Sequence, residues 1–224
     1  MSLSRWLVEQ FHHPRGLPGR LAGWIMATRT SNLERNLWTI GLLELEPTDK
    51  VLELGPGPGV TLTLLLNRLP QGQVTAVDHS RTMLAQCFRA NRKAVEAGCL
   101  ELIQGPFAEV DGIAGGRAPF DAILAVNSLQ FDGLNASTLG RVGHLLAPGG
   151  RLAITFQPRT RRSTAESALE FGNHLAELLR DAGLDSIRIE TLPLKPVCAV
   201  CVLARRSEPA IVDEAQEVSG PETL

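Results

Sequence analysis

Five short apolar runs recur at regular intervals along the chain, at 51–54, 73–78, 100–104, 121–126 and 151–156. The stretches between them, at 60–69, 81–97 and 137–146, read as helices. Strand alternating with helix admits few folds. The crossovers run right-handed, and the strands lie parallel in a sheet covered on both faces. Further on, 186–192 and 197–204 read as two strands joined only by Pro193-Leu194-Lys195-Pro196. A link that short cannot carry a parallel crossover, so this pair is expected to be antiparallel. The pattern predicts an α/β fold: a doubly wound, seven-stranded, mostly parallel sheet with the last strand antiparallel, plus an N-terminal helical extension.

Ser163-Thr164-Ala165-Glu166 has the S-x-x-E form of a capping box. It predicts a helix that runs to about Ala182 and stops at Gly183. Before the sheet, Leu33, Leu37, Ile40 and Leu43 share one face of a helix expected over 31–45, with Ser31 or Asn32 as its cap. His13-Pro14-Arg15-Gly16-Leu17-Pro18-Gly19 is rich in turn residues. Three units are expected: an N-terminal helical lid or substrate segment (1–48), a ligand-binding domain (49–206), and an acidic, disordered tail poor in large apolar groups (207–224).

Composition narrows the function. The 224 residues carry a net charge of −2. Five acids and no base follow Arg206, which leaves 22 bases against 19 acids before it. That near balance offers no electrostatic footprint for nucleic acid. No apolar run approaches the ~18 residues of a membrane span, so no stable membrane insertion is expected. The N-terminus lacks the apolar core of a secretory signal, and four cysteines in such a chain suit a reducing, cytoplasmic setting. Cys198-Ala199-Val200-Cys201 has C-x-x-C spacing, but no second pair completes a zinc site, and the segment reads as a buried strand. No metal site is expected.

The most informative segment is Val51-Leu52-Glu53-Leu54-Gly55-Pro56-Gly57-Pro58-Gly59, a strand running into a glycine loop and then a helix. Glycines let the backbone turn sharply and approach a ligand closely. The dinucleotide fingerprint G-x-G-x-x-G would place its third glycine at Val60, and no lysine follows as in a phosphate loop. Glu53 would repel a pyrophosphate and attract a ligand bearing positive charge. Val74-Thr75-Ala76-Val77-Asp78 follows as a second strand ending in an acid, 19 residues after Gly59. A carboxylate at such a strand end can accept both hydroxyls of a ribose.

Glu53, the loop and Asp78 together resemble motif I and the second strand of the class I S-adenosylmethionine-dependent methyltransferases, over roughly residues 50–157. The resemblance implies S-adenosylmethionine as cofactor, held by Glu53, Gly55, Gly57, Gly59 and Asp78. It implies His79 and Met83 beside the adenine. At Gly105-Pro106-Phe107 the family usually has an acid where Pro106 stands, so adenine recognition would fall to backbone groups and the Phe107 ring. Asn127 to Gln130, beyond the fourth strand and so at the carboxyl ends of the sheet, would lie beside the transferred methyl.

Methyl transfer from a sulfonium needs alignment and removal of any proton more than one obligatory catalytic residue. Asn127-Ser128-Leu129-Gln130 stands where amino methylation of bases uses a Pro-Pro-Tyr/Phe segment, and Thr155-Phe156-Gln157-Pro158 supplies no acid for a magnesium site. A small-molecule acceptor is therefore expected between the sheet top and the N-terminal helices. Substrate candidates are Trp24, Trp38, Gln130 and Arg159, with Arg15, Met26, Arg29, Arg35, Arg161 and Arg162 nearby; His12 and His13 are candidate bases. Two alternatives stay open: methylation of phospholipid headgroups at a membrane surface, suggested by Leu3, Trp6, Leu7 and Phe11, and a non-catalytic cofactor-binding partner subunit. A nucleotide-dependent oxidoreductase is disfavoured by Glu53 and the displaced third glycine.

Overall fold

The computed structural model describes residues 30–129, 134–158, 160 and 162–208. Helix α1 (Thr30–Leu42) leads into β1 (Lys50–Leu54), α2 (Val60–Arg68), β2 (Gln73–Asp78), α3 (Arg81–Ala90), α4 (Arg92–Glu96) and β3 (Leu100–Gln104). Then follow α5 (Val110–Ala114), β4 (Phe120–Val126), α6 (Ala136–Leu145), β5 (Leu146–Phe156), α7 (Ala165–Asp181), β6 (Asp185–Leu192) and β7 (Ala199–Arg205). The seven strands form one sheet in the order β3-β2-β1-β4-β5-β7-β6. Neighbours from β3 through β5 are parallel, and β7 runs antiparallel to both β5 and β6. This is the expected α/β architecture with its last strand reversed.

Alternation along the strands feeds two apolar layers, one on each face of the sheet. Leu52, Leu54, Val77, Ile123, Leu152 and Ile154 meet Leu139 and Val142 of α6 and Leu175 and Leu179 of α7. Val51, Val74, Ala76, Leu124 and Ala153 meet Ile40, Leu62, Leu65 and Cys87 on the other face. The order reverses between β1 and β4. Both strands are followed by loops at their carboxyl ends, the place where open α/β sheets bind their ligands.

The helix ends follow local chemistry, with some corrections to the expected bounds. Ser80 caps α3 by accepting the Met83 amide, and Asn135 caps α6 by accepting the Thr138 amide. The helix expected over 81–97 breaks at Asn91, whose side chain turns back to the Cys87 carbonyl instead of facing solvent. The α7 cap is Thr164 rather than Ser163, and its capping-box partner is Ser167 rather than Glu166. The strand expected to start at 151 begins at Leu146, which pairs with Phe120 before the register shifts and pairing resumes at Arg151. Cys201 is buried in β7, and burial pushes its thiol up to about 12; all four cysteines are free. Among the described residues no three metal-ligating side chains gather, and no helix is long and apolar enough to cross a membrane.

The largest departure is α1. The expected stripe of Leu33, Leu37, Ile40 and Leu43 does not face inward as a unit. Leu33 and Leu37 are 40% and 50% exposed, whereas Asn32, Arg35, Asn36 and Thr39 are buried together with Ile40 and Leu43. At the other end of the chain, Ser207 bonds Asp185 at 2.8 Å, so the first residue of the expected tail lies against the body. Residues 1–29 and 209–224 lie outside the described residues.

Candidate active site

The candidate site is built from the ends of β1, β2, β4 and β5. After β1, Gly55, Gly57 and Gly59 all adopt positive φ, at 69°, 56° and 88°. Their surroundings differ, and so do their reasons for being glycine. A Cβ on Gly55 would stand 2.4 Å from Ser128 Cβ, so the loop after β1 and the loop after β4 touch at Gly55. Ser128 Oγ also donates to the Leu54 carbonyl at 2.6 Å. A Cβ on Gly59 would lie 3.1 Å from both Cα and Sγ of Cys87. At Gly57 no atom lies within 4 Å of the Cβ position, so the backbone there fronts open space.

Gly57 is nonetheless held. Its amide donates to Asp78 Oδ2 at 3.2 Å, and its carbonyl accepts the Cys87 thiol at 3.0 Å. Asp78, 5% exposed at the tip of β2, also accepts the Ser80 amide on Oδ1 at 2.8 Å. His79 Nδ1 stands 3.8 Å from the same oxygen, on a half-open ring. Beneath the loop is Glu53, 1% exposed, whose Oε2 has no hydrogen-bond partner. Burial raises its pKa from 4.5 to about 8; Thr61 opposes this by a hydrogen bond, and the nearby Asp78 carboxylate adds to it. A buried carboxyl in that state marks a place where a cation would be stabilised.

The far wall comes from β4, β5 and α1. Asn127 adopts φ 54°, the left-handed region that asparagine tolerates, and its Oδ1 accepts the Gln157 amide at 2.7 Å. Gln157 gives its side-chain amide to the Val197 and Lys195 carbonyls at 2.8 and 3.2 Å. Its Oε1 accepts from Arg35 Nη1 at 2.7 Å, and Arg35 Nη2 donates to Asn32 Oδ1 at 3.0 Å. Thr39 and Thr155 share a hydrogen bond of 2.7 Å. The buried polar face of α1 is thus stitched to the strand tips.

The structure brings together Glu53, Gly55, Gly57, Gly59, Asp78, His79, Asn127 and Ser128. Gly105 donates its amide to the Asp78 carbonyl, and Pro106 is exposed beside it. Met83 and Phe107 are 2% and 6% exposed; Phe107 joins the apolar layer with Leu54 and Val77. Trp38 is half-buried against the opposite layer, and Arg162 is exposed. His12, His13, Trp24, Gln130 and Arg159 lie outside the described residues. Sequence reading passed over Cys87 and Asn91, which look like ordinary helix residues, and over Gln157, noted only for not being an acid. Their spacing carries no motif, because most of their partners lie far away in sequence.

A glycine loop at the switch point, over a buried carboxyl and beside a strand-end aspartate, defines an α/β enzyme domain for a nucleoside cofactor. Residues 52–152 match the model of a methyltransferase domain. The chain is 30% identical over 186 residues to an uncharacterized methyltransferase, YdaC, of Bacillus subtilis, covering 83% of this chain and 98% of that one. It is 31% identical over 147 residues to trans-aconitate 2-methyltransferase of Delftia acidovorans, covering 65% of this chain but about half, 52%, of that enzyme. Among solved structures, the N-methyltransferase NodS of Bradyrhizobium japonicum, in complex with S-adenosyl-L-homocysteine, shares the fold. That match has a TM-score of 0.66 at 15% identity, over 91% of this chain and 98% of that one. The chain belongs to the class I S-adenosylmethionine-dependent methyltransferases.

Proposed function

We propose that this chain transfers a methyl group from S-adenosylmethionine to a polar small-molecule acceptor. The observation that carries the reading is Gly57: a left-handed backbone anchored at both polar atoms, with open space where a side chain would be. The orphaned Glu53 Oε2 beneath it fits a ligand that carries an ammonium and a sulfonium and no phosphate. When bound, the cofactor supplies a methyl on a good leaving group. The chain supplies alignment.

In this reading Glu53 balances the positive charge of the methionyl end. Asp78, already fixed by two backbone amides, accepts the ribose hydroxyls. His79 and Pro106 edge the adenine side. Asn127 and Ser128, which close the β4 end against Gly55, border the transferred methyl. Residues 1–48 supply the acceptor side, where α1 turns Asn32, Arg35, Asn36 and Thr39 inward. That polar lining favours an acceptor with hydrogen-bonding or anionic groups, as a small carboxylic acid has. The name of the Delftia relative points to the same class. The four free cysteines suit a reducing, cytoplasmic setting, and no nucleic-acid partner is proposed.

Thermal shift with S-adenosylmethionine, S-adenosylhomocysteine and NAD in parallel tests the cofactor. The first two are expected to stabilise the chain and NAD to leave it unchanged; stabilisation by NAD alone would refute the reading. A screen of metabolite extract with methyl-labelled cofactor, with trans-aconitate as a separate arm, tests the acceptor. The expected result is label in a small polar product identified by mass. Label found only in protein or lipid would refute the acceptor class.

A further inference from the structure

The glycine loop is braced from two sides, and only one brace is a familiar kind of ligand-site residue. Asp78 holds the amide of Gly57, and Cys87 of α3 holds its carbonyl. Cys87 is wholly buried, so close below the loop that a Cβ on Gly59 would press on it at 3.1 Å. Asn91, where α3 ends, extends the same brace: it reaches the Gly59 carbonyl at 3.5 Å and accepts the Thr63 hydroxyl at 2.8 Å. Helices α2 and α3 are thereby tied to each other through the loop.

We propose that Cys87 is a positioning residue for cofactor binding, its thiol fixing the peptide of Gly57 so that the open side of the loop keeps its shape for the incoming ligand. The assignment rests on reading Gly55 to Gly59 as the cofactor loop. It also explains why a thiol stands here. A thiolate would add a third negative group beside Glu53 and Asp78, and would have no proton to give. Burial first, and then those two carboxyls, push the Cys87 thiol well above its ordinary range, so it stays an S–H donor through the physiological range. The same facts make it a poor nucleophile and redox centre, because reactive cysteines need thiolate character and access.

The test is calorimetry of S-adenosylhomocysteine binding to the full chain, with thermal unfolding of the same samples. Cys87→Ala removes the donor along with the sulfur. Cys87→Ser keeps a donor at nearly the same loss of volume, so both variants leave a similar small cavity in the core. Positioning predicts affinity in the order wild type, Ser, Ala, with Ala weaker than wild type by roughly threefold to tenfold, the usual worth of one hydrogen bond. Packing alone puts Ser no higher than Ala in thermal stability, since a buried hydroxyl costs more than a methyl, and predicts the same ranking for affinity. Ser binding more tightly than Ala supports the assignment. Ala binding like wild type, or Ser binding no better than Ala, would overturn it while leaving the functional reading intact. Failure of the wild-type chain to bind S-adenosylhomocysteine would overturn the functional reading, and this assignment with it.

Discussion

Glu53→Gln separates the charge under the glycine loop from its shape. The wild-type carboxyl is fully buried with a pKa raised from 4.5 to about 8, chiefly by desolvation. The folded chain therefore holds this proton more tightly than the unfolded chain does. Its contribution to stability is complete below about pH 4.5, falls as pH rises, and levels off above about pH 8. At ~1.36 kcal/mol per pKa unit, the full loss is about 5 kcal/mol, and about 3 kcal/mol of it falls between pH 5.5 and pH 8. The substituted amide cannot ionise, so the variant lacks this slope. Urea unfolding of both proteins without cofactor at pH 5.5, 7 and 8 reads the difference directly. Wild type should lose about 3 kcal/mol more than the variant across that interval. Parallel losses would show that Glu53 is not held protonated in the fold.

The same group makes an independent demand on binding. At pH 7 the buried carboxyl is mostly protonated, whereas a cationic ligand beside it favours the carboxylate. Binding of S-adenosylmethionine should then release ~0.9 proton per site at pH 7, and affinity should rise with pH toward 8. Calorimetry in phosphate and in Tris, whose ionisation enthalpies differ, counts those protons. Glu53→Gln should bind more weakly and release none. Equal heats in both buffers for the wild-type chain would refute the placement of the cation.

Gly57→Ala adds a methyl where no atom stands within 4 Å, so it should cost only the ~1–2 kcal/mol of a left-handed alanine in stability and at least tenfold in S-adenosylhomocysteine affinity. Gly55→Ala drives a methyl to 2.4 Å from Ser128 Cβ and should cost more stability than Gly57→Ala; equal melting temperatures for the two would refute the distinction. Asp78→Ala removes the acceptor of the Gly57 and Ser80 amides and should weaken cofactor binding by about 1.5–3 kcal/mol; unchanged affinity by calorimetry would remove Asp78 from the site.

Most of the sheet was legible because its signals are local. Apolar runs of strand length, separated by helix-length segments, leave little choice of topology, and the short Pro193-Pro196 link sets the direction of the final pair. The glycine loop was legible for a similar reason: positive φ at Gly55, Gly57 and Gly59 leaves a mark on composition. What escaped was contact at a distance. Cys87 reaches Gly57 across 30 residues, and Arg35 reaches Gln157 across 122. The helix break at Asn91 belongs here too, because the asparagine gives up helical geometry to bond the neighbouring loop and helix.

Helix α1 shows why an apolar stripe does not always mark the buried face. At ~100° per residue, Asn32, Arg35, Asn36, Thr39, Ile40 and Leu43 form one continuous face, and it is the buried one. Leu33 and Leu37 lie on the flank of that face and stay exposed. The lower half of the helix, with Ile40, and Leu43 just past its end cover the apolar layer under β1 and β4. Its upper half meets the tips of β4 and β5, where the neighbours are Thr155 and Gln157. Apolar side chains there would remove the Arg35–Gln157 and Thr39–Thr155 hydrogen bonds, at about 0.5–1.5 kcal/mol each. Polar residues on the inner face are thus the consequence of packing on the polar side chains at the strand tips. Two substitutions test this. Leu37→Gln should change stability by less than about 0.5 kcal/mol, since it alters an exposed position. Thr39→Val, nearly isosteric, removes the hydrogen bonds of Thr39 to Thr155 and to the Arg35 carbonyl and should cost about 1–3 kcal/mol in urea unfolding. If Leu37→Gln proved the costlier change, the leucine stripe would be the buried face after all, and the acceptor wall built on Arg35 and Asn36 would have to be given up.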